Sequence, residues 1–267
     1  MEPATLSTIL SLTGALAYVL AGARLIADSE NTARVSIPRW GLIAVALHTA
    51  SIISASLQYQ GVSSSFFDAL SITALIVVAT TLACQLKQAV TALLIPVFFI
   101  AAICLAQASF FSHHTPISAT SSGMLVHILS SIIAYSLLSL ATLQALALQR
   151  LENNLKHSDE HSWMQKLPPL QTLEALLFQT VAAGWLLLTL SLVSGALFID
   201  DLFAQHLAHK TLFSLLSWLL FGVLLLGRQY YGWRGRTALH WILVAFFSLL
   251  LAYFGSKFVF EVLLQRS

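Results

Sequence analysis

Four side chains in this sequence have the type and spacing to hold a metal cofactor or move a proton: His48, His127, His209 and Lys257. Their depth can be read from the nearest arginine if their segments are membrane-crossing helices, which rise 1.5 Å per residue. His127 then lies about 35 Å from Arg150, His209 about 28 Å from Arg228, and Lys257 about 31 Å from Arg236. All three reach the boundary opposite the arginines. His48 lies about 14 Å from Arg39, near the middle of the bilayer. Two facing imidazoles are suitable axial ligands for haem iron, and a lysine ammonium beside them would pair with a haem propionate. Histidine, lysine and tryptophan also gather at membrane interfaces for reasons of solvation alone. Spacing does not separate these two readings.

Below His127 come Ser131, Tyr135 and Ser139, a polar row at i+4 steps on one helix face. The row either lines a cofactor cavity and bonds the histidine, or it joins helices by hydrogen bonds within lipid. His48 has a similar pair of readings: a second haem ligand or proton relay, or a histidine bonded to a neighbouring helix's serine or carbonyl. Asp68 is placed to cap the third segment, since carboxylates favour helix N-termini. His113 and His114 stand in a polar stretch with Pro116. His157, His161 and His206 have no evident partner, and His240 falls at an interface.

The elements that carry these residues follow from composition. The chain has 267 residues, 58% hydrophobic and 9% charged, where soluble domains carry roughly 25% charged residues. A soluble chain of this kind would expose apolar surface over most of its area. With lipid as the solvent, apolar runs of about 20 residues cross a core of about 30 Å, and their backbones must be satisfied internally. The runs are continuous rather than alternating, so helices are expected at about residues 4–26, 40–58, 66–86, 90–111, 119–149, 172–197, 207–227 and 237–263. The fold class is therefore all-α: a polytopic membrane bundle of about eight transmembrane helices in a single domain. The first span is too long for a signal-peptide core and lacks a positive start. Cys84 and Cys104 fall inside apolar runs and are expected as buried free thiols. A formal charge of +2 with no basic stripe gives no footprint for nucleic acid.

Lysine and arginine concentrate in alternate connections: Arg24, Arg34 and Arg39; Lys87; Arg150, Lys156 and Lys166; Arg228, Arg234 and Arg236. The opposite connections are nearly bare of them. By the positive-inside rule the first set is cytoplasmic, which puts both termini on the periplasmic side of a bacterial inner membrane.

The run His127–Tyr135 resembles the His-x-x-x-Ser-x-x-x-Tyr helix of the cytochrome c assembly protein family, which includes the CcsA and CcmC haem-handling proteins and the HemX branch. His209-Lys210-Thr211 through Ser217-Trp218, Gly227-Arg228, Gly232-Trp233-Arg234-Gly235-Arg236 and Tyr253-Phe254-Gly255-Ser256-Lys257 are similar to a short inner-membrane, YpjD-like branch of it. The resemblance covers about residues 40–264. It implies haem b as cofactor and a link to cytochrome c maturation, with His127 at the position of the family's first periplasmic haem ligand. Three departures stand beside it. The tryptophan-rich loop is missing, because Phe198–Ala208 is short and has no tryptophan. The second periplasmic ligand position falls near Glu261. The membrane-embedded histidine position falls near Gly227. These argue against haem attachment by this chain alone, and leave His209 as the substitute partner for His127.

The leading expectation is thus a membrane protein that binds haem and handles or senses it during cytochrome biogenesis. Its site would comprise His127, His209, His48, Lys257, Tyr135 and Ser131, and its partners the bilayer, haem, and cytochrome c biogenesis or haem-synthesis proteins. The alternatives are a HemX-like regulator or scaffold without its own chemistry and, ranked last, a small-solute transporter, for which no paired broken helices or inverted repeat is visible. No nucleophile–base pair or carboxylate dyad argues for an enzyme.

Overall fold

The structure is a computed structural model that describes residues 3–27, 38–59, 61, 63, 65–88, 90–111, 122–157, 168–198 and 208–255. Eight helices follow in order: α1 (Pro3–Ala27), α2 (Arg39–Gln58), α3 (Phe66–Gln85), α4 (Thr91–Phe111), α5 (Ser122–His157), α6 (Leu170–Phe198), α7 (Ala208–Tyr231) and α8 (Gly235–Leu250). All eight are long and apolar enough to cross a membrane. The expected starts and ends agree to within a few residues at most boundaries. The main difference is α5, which runs on past Arg150 to His157. Leu148 and Leu151 remain buried there, so an apolar stripe carries the helix beyond the charged boundary. At the other end of the chain, α8 passes into one turn of π-helix, Leu251–Gly255. The remainder of the expected 237–263 span, with Lys257 and Glu261, lies outside the described residues, as do His113, His114, His161 and His206.

The helices form two compact units, α1–α4 and α5–α8. In the first, α1 packs along α2 and α4, and α3 packs along α4, while α2 and α3 meet over a short stretch only. Gly14 makes the α1 approach possible: a Cβ there would meet Leu105 at 3.1 Å and the Cβ of Leu47 at 3.3 Å. The start of α3 is capped by Ser65, whose Oγ accepts from the Asp68 backbone N–H at 3.3 Å and donates to the Asp68 carboxylate at 3.0 Å. Asp68 thus works with the cap in the first turn. Ser65→Ala should lower stability by about 1 kcal/mol, the usual worth of an N-cap hydroxyl, read as a lower midpoint in detergent thermal unfolding followed by circular dichroism. Cys84 and Cys104 are free thiols but only half-buried. This corrects the expectation of burial; Cys84 sits beside, not on, the packed row Val78–Leu82–Gln85 of α3.

In the second unit α5 packs against α6 and α8, and α7 packs against the same two helices. Gly184 lets α5 and α6 close up, since a Cβ there would meet the Leu138 side chain at 2.8 Å. The α7–α8 turn uses Gly232 at φ 66° and Gly235 at φ 55°, a left-handed backbone that glycine adopts without steric cost. It folds Trp233 back onto Gly227, stacked between Tyr231 at 6.2 Å and Trp241 at 5.2 Å. Any side chain at Gly227 would occupy the Trp233 ring position. Gly227→Val should therefore expel the indole and cost about 1–3 kcal/mol, the range for overpacking. A red-shifted Trp emission together with a lower unfolding midpoint would report it; unchanged emission would refute it.

Candidate functional site

The site begins with α5. Its first turns carry His127, whose Nδ1 lies 2.8 Å from the backbone oxygen of Ser191 on α6. A carbonyl oxygen only accepts, so Nδ1 carries the proton and donates. In the neutral ring Nε2 then carries the lone pair, and it has no hydrogen-bond partner among the described residues. Metal-binding histidines are oriented in this way, by a carbonyl or carboxylate on the second nitrogen. Ser131 lies one turn on, donating to the His127 carbonyl at 2.5 Å and meeting the Ser191 hydroxyl at 2.6 Å. Because the single Ser131 proton is spent on that carbonyl, Ser191 donates to Ser131. Ser194 completes the cluster, its Oγ 3.0 Å from the Ser191 backbone oxygen that accepts from His127.

The expected polar row therefore fans across two neighbours. Ser131 faces α6, whereas Tyr135 is buried and donates its hydroxyl to the Leu249 carbonyl of α8. Its ring meets Tyr253, in the π turn, at 5.9 Å. Among the described residues Ser139 bonds its own helix alone, through the Tyr135 carbonyl at 2.7 Å. Of the two readings of this row, these hydrogen bonds are those of helix joining; Ser131 alone also supports the histidine.

His209 begins α7 and is half-buried. Gly227 is 18 residues further on, five full turns, so the two share one side of the helix. Gly227 faces Trp233 and the α8 side. Trp218, on the other side of α7, meets α6 by stacking on Trp185 at 5.7 Å and by donating to Thr189 Oγ1 at 2.8 Å. His127 thus turns to α6 and His209 to the α8 flank, on two helices that lie across the unit from each other. The structure brings His127 and Ser131 together, and among the described residues no hydrogen bond joins His209 to either of them. Among the described residues no three His, Cys, Asp or Glu side chains cluster.

His48 belongs to the other unit and is fully buried. Its Nδ1 lies 3.2 Å from Tyr18 Oη, and its Nε2 lies 2.9 Å from Ser71 Oγ. Both nitrogens are engaged, which leaves no lone pair for an iron in this arrangement. His240 is exposed and bonds the Arg236 carbonyl at 2.8 Å. Sequence reasoning missed Ser191, Tyr18 and Ser71. Each is a hydroxyl inside an apolar run, the one signal available, but nothing in a single chain pairs it with its partner.

Residues 37–264 match the cytochrome C assembly protein family. The chain belongs to that family. Inner membrane protein YpjD of Escherichia coli strain K12 is 36% identical over 174 residues, covering 64% of this chain. The match spans 65% of that relative's own length. The cytochrome c biogenesis protein CcsA of Prochlorococcus marinus strain NATL1A is 29% identical over 87 residues, 32% of this chain and 28% of its own. The same protein of strain MIT 9515 is 26% identical over 142 residues, 49% and 46% respectively. No solved structure gives a match. With its eight apolar helices, this member of the cytochrome c assembly family is a multi-pass protein of the inner membrane, with the lipid bilayer as its solvent.

Proposed function

We propose that this protein binds haem b at the His127 end of the α5–α8 unit and handles it in cytochrome c biogenesis. The observation that supports this most directly is the fixed tautomer of His127, with Nδ1–H held by the Ser191 carbonyl at 2.8 Å and Nε2 left as the ligating nitrogen. The donor set fits a haem iron, which takes a neutral imidazole as an axial ligand. Family membership and the CcsA relatives, named as cytochrome c biogenesis proteins, favour the same reading. When bound, haem would supply its own redox and ligand-exchange chemistry.

In this reading His127 is the protein's axial ligand and Ser131, through Ser191, holds its ring. Tyr135 fixes α8 against α5 below it. Lys257 is assigned to a propionate and His209 to the periphery of the site. The charge bias of the connections supports a periplasmic location for this end. Biogenesis or haem-synthesis proteins are the partners that would deliver or receive the haem. Titrating the detergent-purified protein with hemin tests the reading. The expected result is a saturable, red-shifted Soret band at one haem per chain; a spectrum equal to hemin in empty micelles at every ratio would refute it.

A further inference from the structure

The α1–α4 unit holds a polar feature that haem binding does not use. A cavity of about 190 Å³ lies among its four helices. Hydroxyls from every helix line it, including Ser11, Ser51, Ser71 and Ser109, and Asp68 contributes the lining's one carboxylate. Gly61 and Ser63, from the α2–α3 connection, are also part of the wall. The cavity therefore extends to the helix ends on the side away from Arg24 and Arg39. It exists because α2 and α3 meet only briefly, so the space between them is not filled by side chains.

Hydroxyl walls of this kind hold water: the space is roomy enough for about six molecules at ~30 Å³ each, and each would find several polar partners. Two of the walls are themselves joined, since Ser11 donates to the Ser7 carbonyl at 2.9 Å and meets Ser51 Oγ at 2.5 Å. Ser71 is the decisive residue. It lines the cavity and also lies 2.9 Å from His48 Nε2. One hydroxyl thus separates a mid-membrane imidazole from the cavity. On the far side of the ring stands Tyr18, packed on Phe98 at 5.7 Å, and both of these are fully buried. The polar path ends there against apolar packing.

We propose that the α1–α4 unit is a hydrated half-channel, which carries water and protons from the face opposite the arginines to His48 and no further. A cavity hydronium gives a proton to Ser71 Oγ as the Ser71 proton passes to Nε2; Ser71 ends as it began, and His48 becomes an imidazolium whose Nδ1–H points at Tyr18 Oη. The titratable groups around this path are Tyr18 from α1, Tyr59 just past the end of α2, and Asp68 from α3. On α2 the neighbour is Ser51, and α4 contributes Leu105, Ala108 and Ser109 to the lining. Because the path is closed beyond Tyr18, His48 acts as a proton acceptor that follows the pH of one face. Ionisable and polar groups at this depth are costly in lipid, and such groups in membrane proteins serve ion or proton paths.

Cysteine accessibility tests the path. In a Cys84→Ala/Cys104→Ala background, Ser51→Cys in sealed vesicles should react with a charged, membrane-impermeant methanethiosulfonate from one face only, the face that also labels Gly61→Cys. Ala108→Cys reports on the same cavity should Ser51→Cys fail to fold. A second measurement follows deuterium uptake at the His48 Cε1 position by mass spectrometry. Uptake should track the bulk pH and fall about tenfold when Ala55→Phe fills the space, as exchange does when solvent access closes. Cavity cysteines that stay unlabelled while Gly61→Cys reacts, or uptake indifferent to Ala55→Phe, would overturn the proposal. Neither measurement involves hemin or His127, so its failure is distinct from failure of the haem reading.

Discussion

His127→Ala should weaken hemin binding by at least about tenfold, and more if the imidazole is the only protein ligand; even outer-shell changes around a metal ligand cost 10–100-fold. The fold should survive. The substitution removes a single hydrogen bond to the Ser191 carbonyl, worth about 1 kcal/mol. His127→Asn separates ligation from structure, because its Nδ2 stands where Nδ1 does and can still donate to that carbonyl but offers no imidazole nitrogen. It should keep the wild-type unfolding midpoint and lose the Soret band. Ser131→Ala should have a much smaller effect, since Ser131 reaches the ring only through Ser191. His209→Ala should leave the band largely in place, as His209 lies on the α8 side of its helix. Equal titration curves for wild type and both His127 variants would remove His127 from the site altogether.

The second large effect is expected at the arginine end of the same unit. Arg228 Nη1 lies 2.6 Å from the Glu174 carboxylate, and Glu174 is buried. The guanidinium also stacks over Phe178 at 4.6 Å and reaches the Trp233 carbonyl at 3.4 Å. It therefore ties α6, α7 and the α7–α8 turn together. Arg228→Ala would strand a carboxylate among apolar helices. Breaking one side of a buried pair costs about 3–5 kcal/mol, chiefly through the charge left behind, and partial exposure of Arg228 puts the expectation near the lower end. The double variant Arg228→Ala/Glu174→Leu should recover most of that loss, because it removes the stranded charge. Denaturant unfolding of the two variants in mixed micelles checks both statements. If the double variant is no more stable than Arg228→Ala, the cost lies in lost packing and not in the unpaired charge.

How much of this was legible beforehand differs between the fold and the site. The eight spans were legible because lipid imposes a length: runs such as Thr91–Phe111 are about as long as the hydrocarbon is thick. The extension of α5 to His157 was not, since Glu152, Asn153 and Asn154 read as a loop until Leu148 and Leu151 are seen buried on one stripe. The Trp233–Gly227 contact was not legible either. For the site, residue counts gave the position of each candidate histidine along its helix, but not its direction.

By itself the sequence determined what depends on one dimension: an eight-helix membrane chain, the bias of arginine toward alternate connections, and the level of each imidazole along its helix. These follow from the thickness of a bilayer and the rise of an α-helix. Only the tertiary structure decided direction and company: His127 against Ser191, His209 toward α8, and His48 between Tyr18 and Ser71. The physical reason is that lipid is as apolar as the side chains that pack against it. These helices are apolar nearly all round, so the pattern that marks the inner face of a soluble helix is too weak here to say which way a residue turns. Close packing at Gly14 and Gly184, and hydroxyls that find partners across helices, make that choice instead.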